Sequence, residues 1–526
     1  MTAQDLNLPN DISELQEMIV ELYKNKIHNE AKINYLQDQL ILLKGQNFGQ
    51  KSERWVPDPE LRSLFDDAEM SEAPAEEESE AVEVKSHKRR KSPGRRPLPD
   101  HLPRRQVIHD IPESEKVCAC GCKLEEVGQD KSEELEYVPA EFIVVEHIRP
   151  KYACRGCEGV ESNGKTVKVA PLPEKLIPKS ICTAGLLATI ITSKFVDAMP
   201  FYRQEKQFAR RGIDLSRTLM CNWTLAVWEK YRVIEEIFRE ELLKFPLVHA
   251  DETPFQVLRE EGRKVQQKSY MWLFCGGPPG KGIVCYKYAP SRSGNVAEEY
   301  LGGYKGYVVT DGYKGYNYLD EMEGVTHAAC WAHVRRYFYD LIKISGTKNP
   351  NKKAIKAVNL IKELYKVDAQ AAQKNLSPEE LLELRKEKSE ELIDKFEAFV
   401  LENAPKVLPK SYLGKAILYS VRQLPRLKHI LKDGIVPLDN NRVENAIRPF
   451  AVGRKNWLFS YHADGASASA FFYSIIETAK ANGLEPFSYL LHLFENLPSA
   501  DSRKKIKNLL PMYVDRSKIK TFDGKS

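Results

Sequence analysis

The hydrophobic pattern of this chain changes character at residue 246, breaks at 351 and resumes near 439, and that interrupted pattern constrains the fold more than any other feature. LVHADETPFQVL, SYMWLFCGG and GIVCYKYAP are short apolar and aromatic runs separated by charged or Gly-Pro turns, the pattern of successive strands. SGNVAEEYLGG then reads as helix, GYVVTDGYKGY as strand and VTHAACWAHVRRYFYDLI as strand followed by helix. A meander of three strands followed by alternating strand and helix is an α/β arrangement. Residues 351–430 are almost wholly charged amphipathic helix, for example LSPEELLELRKEKSEELIDKFEAFV, and DNNRVENAIRPF comes after them. The helical stretch therefore interrupts the core and does not end it.

Two aspartates occupy telling positions in this pattern. Asp251 lies within the first strand run and Asp311 closes the fourth. In an open α/β sheet, chemistry collects at strand ends and the adjoining crevice. Glu444, set among asparagines and arginines at a helix start, is the third member of a possible carboxylate set. Three carboxylates suit magnesium or manganese and not zinc, and two such ions can drive an in-line phosphoryl displacement. The surroundings are basic: Arg335 and Arg336 follow CWAH, Arg442 and Arg448 flank Glu444, and Arg454 and Lys455 lie in VGRKNW. Cations beside carboxylates fit a site that must hold a polyanion.

Upstream, the 526-residue chain has room for several domains. Leu15, Ile19, Leu22, Ile33, Leu36, Leu40 and Leu43 fall at heptad spacing within 12–44, so this helix pairs in a coiled coil or packs as one amphipathic helix on its own chain. Residues 66–83 hold only acidic charges, whereas KSHKRRKSPGRRPLPDHLPRR, with Arg89, Arg90, Arg95 and Arg96, is strongly basic. Such a reversal marks a linker whose basic half can lie on a phosphate backbone. Cys118, Cys120 and Cys122, a hairpin-length spacer, then Cys154 and Cys157 have the layout of a zinc ribbon; four of the five would ligate zinc, with the first group left open. FYRQEKQFARRGIDLSRTLMCNWTLAVWEKY gives two helices, a break at Gly212 and a cap at Ser216, a helix-turn-helix layout in which Arg217 is a candidate DNA contact. No run of 18 apolar residues is present and the acidic N-terminus lacks the pattern of a secretory signal, so a cytoplasmic protein with no membrane span is expected.

Several motifs also resemble a known family. LLKGQNFGQKSER, CACGCKL, RPKYACRGC, PFYRQEKQFARRGIDLSR, HADETPFQV, VVTDGYKGY, CWAHVRR, DNNRVENAIRPF, GRKNWLFS and ETAKANGLEPFSYL run in order over nearly the whole chain. In them the chain is similar to transposases of the insertion-sequence-66 family of bacterial mobile elements. The resemblance implies a multidomain protein with an α/β ribonuclease-H-like catalytic core carrying a helical insertion. It implies that Asp251, Asp311 and Glu444 form a DDE triad that ligates magnesium or manganese and cuts and joins DNA. The expected organisation is a coiled-coil or leucine-zipper helix over 1–48, a linker over 49–105, a zinc-binding ribbon over 106–170 and a helical DNA-binding domain over 171–245. The core is expected over 246–345 and 431–465, the insertion over 346–430 and a C-terminal helical region over 466–526. Expected partners are terminal inverted repeats, target DNA, a second copy through 12–44 and accessory proteins of the same element. A nuclease without a joining step and a catalytically silent DNA-binding regulator are the rival readings.

Overall fold

The computed structural model describes residues 11–48, 142–148, 151–153, 167–169, 174–264, 266–345 and 351–519. The five clustered cysteines and Arg89, Arg90, Arg95 and Arg96 lie outside the described residues. The chain divides into two compact units, residues 73–172 and residues 1–72 with 173–526.

In the larger unit, α1 (Ile12–Phe48) is one unbroken helix. Ile19, Leu22, Ile33 and Leu36 of the heptad seam are exposed on it. In the smaller unit, β1 (Lys151–Ala153) pairs antiparallel with β2 (Val167–Val169).

The helical segment of the larger unit holds α2 (Ala184–Phe195), α3 (Phe201–Ala209), α4 (Arg217–Lys230) and α5 (Val233–Leu242). Gly212 takes φ +76° in the turn between α3 and α4, a conformation that favours glycine. The Ser216 hydroxyl then caps α4 by accepting from the Leu219 amide at 3.3 Å. The expected two-helix layout is therefore present. Met220, Trp223 and Val227 of α4 are buried in the same apolar cluster as Met271 and Phe274 of the sheet, so these helices and the sheet share one core. Burying each such side chain stabilises by roughly 1.5–3 kcal/mol.

The sheet contains β3 (Leu247–Arg259), β4 (Lys268–Gly276) and β5 (Ile283–Ala289), followed after α6 (Asn295–Tyr300) by β6 (Gly306–Thr310) and β7 (Val325–Ala329). Its order is β5-β4-β3-β6-β7. The first three strands are an antiparallel meander, with Asp251 opposite Leu273. β6 runs parallel to β3 and β7 parallel to β6. Met271 to Cys275 of β4 are wholly buried, which explains why this strand reads as a continuous apolar run and not as an alternation.

After β7 come α7 (Trp331–Ser345) and the insertion helices α8 (Lys352–Gln373), α9 (Pro378–Asn403) and α10 (Tyr412–Leu427). They form a second apolar cluster in which Val334 and Phe338 meet Ile361, Phe396 and Ile417. The insertion reaches the sheet at one informative point. A Cβ on Gly312 would lie 2.3 Å from the Tyr419 ring of α10, so glycine beside Asp311 lets the insertion close on the end of β6.

The chain returns to the sheet through α11 (Asn441–Trp457) and β8 (Phe459–His462), which pairs parallel with the far end of β3. α12 (Ala463–Ala481) covers β5: Ser474 Oγ accepts from the Tyr286 amide at 2.8 Å and Thr478 Oγ1 from the Val284 amide at 3.0 Å. Side-chain hydroxyls thus satisfy outward-facing amides of an edge strand, which removes a pairing hazard. The boundary expected at 465 falls inside α12, so the start of the C-terminal region belongs to the core's packing. α13 (Pro486–Asn496) and α14 (Arg503–Asn508) complete the unit. No described helix is long and apolar enough to cross a membrane.

Candidate active site

The two aspartates come from neighbouring parallel strands. Val248 pairs with Val308, an offset of 60, and continuing that offset sets Asp311 level with Asp251. The Tyr313 amide donates to Asp311 Oδ1 at 2.9 Å, which holds this carboxylate in the turn after β6. Beneath it, the Thr310 hydroxyl lies 2.7 Å from His327 Nε2, and His327 Nδ1 lies 3.1 Å from Asp320 Oδ1, which Arg426 also engages.

Glu444 arrives by a different route. Fully buried Asn440, just before α11, ties that helix to the sheet through three groups. Its amide nitrogen Nδ2 donates to the Ala250 carbonyl at 3.0 Å, its Oδ1 meets His249 Nδ1 at 2.8 Å, and its backbone amide donates to Cys330 Sγ at 3.3 Å. An asparagine both donates and accepts, so it can serve all of these; the accepting oxygen assigns the proton to His249 Nδ1. Burial lowers His249 to about 4, so the ring stays neutral. Ala250 precedes Asp251, and the Glu444 amide bonds the Asn440 carbonyl at 3.2 Å. The asparagine-rich start of α11 therefore fixes the helix carrying Glu444 against the strand carrying Asp251.

The electrostatics follow from this convergence. Burial, then the neighbouring charges of Glu252, Asp311 and Glu444, push Asp251 well above the usual carboxylate range; the Glu252 amide, donating to Asp251 Oδ1 at 2.8 Å, acts in the opposite sense. A buried carboxylate among like charges is costly to ionise unless a cation is brought in. Glu444 has Arg336 Nη2 3.3 Å from Oε2 and His333 Nδ1 3.6 Å from Oε1. The oxygen-only donors Asp251, Asp311 and Glu444 match the preference of a hard divalent ion.

Several residues around these carboxylates escaped the sequence reading. Glu252 is buried, receives the Tyr316 hydroxyl at 2.6 Å and is paired with Arg292 Nε at 2.7 Å, and burial raises its pKa. Its signal was HADET itself, two acids in succession on one strand. Cys330 and His333 were visible in CWAH. Burial pushes the Cys330 thiol up to about 12.

The basic residues sort into two groups. Arg336 and Lys455 are exposed, Arg335 and Arg448 are half-buried, and Arg217 is exposed at the start of α4. Arg442 is exposed and Arg454 half-buried, and each also makes hydrogen bonds within the protein. Arg442 Nη2 donates to the Gly276 carbonyl at 2.8 Å, and Arg454 Nη1 to the Pro254 carbonyl and to Thr253 Oγ1 at 3.1 Å. Both guanidiniums clamp α11 to β3 and β4.

Comparison with known proteins agrees with this architecture. Residues 179–468 match the family described as "Transposase IS66 family". Residues 115–158 match "zinc-finger binding domain of transposase IS66", 35–107 match "Transposase C of IS166 homeodomain" and 474–512 match "IS66 C-terminal element". Two relatives from Sinorhizobium fredii (strain NBRC 101917 / NGR234) are similar over almost their whole length. Uncharacterized protein y4qI is 30% identical, covering 96% of this chain and 97% of the relative. Uncharacterized protein y4jD is 31% identical, covering 97% and 98%. The chain belongs to the IS66 family of transposases, with an N-terminal helical region, a zinc-finger module and a transposase domain. Membership implies a divalent metal for the transposase domain and zinc for the finger.

Proposed function

We propose that this transposase binds the terminal inverted repeats of its element, cuts DNA at their ends and joins the freed ends to target DNA. The core is read as ribonuclease-H-like, and Asp251, Asp311 and Glu444 as its DDE triad. The observation that carries the reading is geometric: the parallel register of β3 and β6 sets Asp251 level with Asp311, and Asn440 ties the helix bearing Glu444 to Ala250 beside Asp251. These three would hold magnesium or manganese. Such an ion, when bound, would polarise the attacking water and offset charge developing on the phosphate. In the first displacement water's oxygen bonds to phosphorus and the P–O bond to the 3′-oxygen breaks. In the second, the freed 3′-hydroxyl attacks a target phosphodiester and displaces its 3′-oxygen.

The chain's own residues divide the remaining work. Asn440 and His249 keep Glu444 in register with Asp251. Arg336, beside Glu444, would neutralise phosphate oxygens at the cut, and Arg335, Arg448 and Lys455 would extend the basic track along α7 and α11. Arg217 at the head of α4 and Arg89, Arg90, Arg95 and Arg96 of the linker would contact backbone further from the cut, and α1 would pair with a second copy through its exposed seam. The direct test is a labelled end duplex incubated with the protein. Nicked product with Mg²⁺ and none with EDTA supports the reading; no Mg²⁺-dependent cut on any end sequence of the element overturns it.

Two outcomes follow. Asn440→Ala removes the side-chain bonds to His249 and Ala250 but no carboxylate, and cleavage should fall about 10–100-fold, as loss of a group that orients a ligand does. Cleavage rates on end DNA, with circular dichroism to confirm folding, check this. Cys154→Ser should release the finger's zinc, because a structural site needs all four ligands. Elemental analysis should find about one zinc fewer per chain in the variant than in wild type, while Mg²⁺-dependent nicking at high protein concentration persists.

A further inference from the structure

Cys330 follows β7 and immediately precedes α7, and His333 lies in the first turn of that helix. The Cys330 sulfur, a His333 ring nitrogen and a Glu444 carboxylate oxygen all lie within 4.8 Å of one another. His333 Nδ1 and Glu444 Oε1 are 3.6 Å apart. Both atoms are shut off from solvent, and among the described residues neither makes a hydrogen bond. Buried polar atoms are ordinarily paired, so two facing each other without a bond call for a physical account.

We propose that Cys330, His333 and Glu444 form a binding site for a zinc-class divalent cation, distinct in its ligand set from the all-oxygen carboxylate centre. Tetrahedral zinc bonds of about 2.0–2.3 Å separate a ligand nitrogen from a ligand oxygen by roughly 3.4 Å, and either from sulfur by roughly 3.6 Å. The observed nitrogen–oxygen spacing of 3.6 Å is close to this, and the sulfur lies within 4.8 Å of both. Arg336 engages the other oxygen of Glu444, which leaves Oε1 directed at His333. The sulfur accepts the Asn440 amide at 3.3 Å, which fixes its position beside His333 and Glu444. One sulfur and one imidazole select zinc, cobalt or cadmium over magnesium. Three protein ligands leave a fourth position for water or a phosphate oxygen. Glu444 would then be common to a soft-donor set and a hard-donor set.

The test uses full-length protein carrying its finger zinc, titrated with Co²⁺ in excess Mg²⁺ and without DNA. The readout is sulfur-to-cobalt charge-transfer absorption, so failure of the cleavage reading leaves this result untouched. Wild type should show a band that saturates at one cobalt per chain. Cys330→Ser should lose that band. His333→Ala, which alters a partly exposed ring and leaves the sulfur and the fold intact, should weaken cobalt binding at least about tenfold. Cobalt that merely exchanges into the finger would give equal bands in wild type and Cys330→Ser. Equal bands, the absence of a band in wild type, or wild-type affinity in His333→Ala would each overturn the proposal.

Discussion

Glu444→Gln should lower Mg²⁺-dependent cleavage of end DNA by about 10³-fold or more while leaving DNA binding intact. The substitution keeps the side chain's size and exchanges one carboxylate oxygen for an amide nitrogen, so one negative charge leaves the metal-holding set. Stabilisation worth several kcal/mol depends on such a charge, and about 4 kcal/mol corresponds to a thousandfold in rate. Binding should survive because affinity rests on Lys and Arg contacts to phosphates, and Arg336 is freed from its pairing with Glu444 at 3.3 Å. A purely structural role gives the opposite pattern. Asn440 already ties α11 to the sheet, so a Glu444 that served only as a helix-end charge would tolerate glutamine with little loss of cutting. Gel shifts and cleavage rates on the same duplex separate these outcomes.

The largest expected effect on stability lies in the insertion. Arg385 of α9 is fully buried, pairs with Asp368 of α8 at 2.5 Å, and donates to the Ile430 carbonyl at 3.2 Å and the Val436 carbonyl at 2.8 Å. Arg385→Met fills much of the same space but leaves a carboxylate and two carbonyls without their donor. Removing one partner of a buried pair costs about 3–5 kcal/mol, and partly exposed Asp368 places this case toward the lower figure. Amide hydrogen exchange across α8 and α9 should lose about 3 kcal/mol of protection, because it reads local opening where a chain of several units has no single unfolding free energy. Asp368→Leu added to Arg385→Met should restore part of the loss, since the unpaired carboxylate is then gone. Unchanged exchange in the single variant would mean that Arg385 contributes nothing to the insertion.

Much of this arrangement was readable from local pattern. HADET and VVTDGY sat where strand periodicity put them, and the parallel pairing of β3 with β6 brought their aspartates level. The Gly212 turn and Ser216 cap were legible because both act within a few residues of themselves. What escaped depends on partners far away in the chain. Charge pattern alone gave no sign that Arg442 and Arg454 also bond the Gly276 and Pro254 carbonyls. GRKNWLFS gave no sign that its last residues would pair with β3, because a four-residue strand carries too little periodicity to show. The same holds for α12, whose serine and threonine look like ordinary helix residues until β5 is beside them. His333 was passed over because its partner Glu444 lies more than a hundred residues downstream.

The central claim is that Asp251, Asp311 and Glu444 together run both displacements on DNA, and the joining assay tests it most directly. A labelled terminal-repeat duplex, a supercoiled target plasmid and Mg²⁺ are incubated with wild-type protein or with Asp311→Asn, and label covalently joined to plasmid is measured on a denaturing gel. The account predicts joined product from wild type, none with EDTA and none from Asp311→Asn, although that variant still shifts the duplex. Joined product from Asp311→Asn at the wild-type rate, or joining that needs no divalent ion, would contradict it.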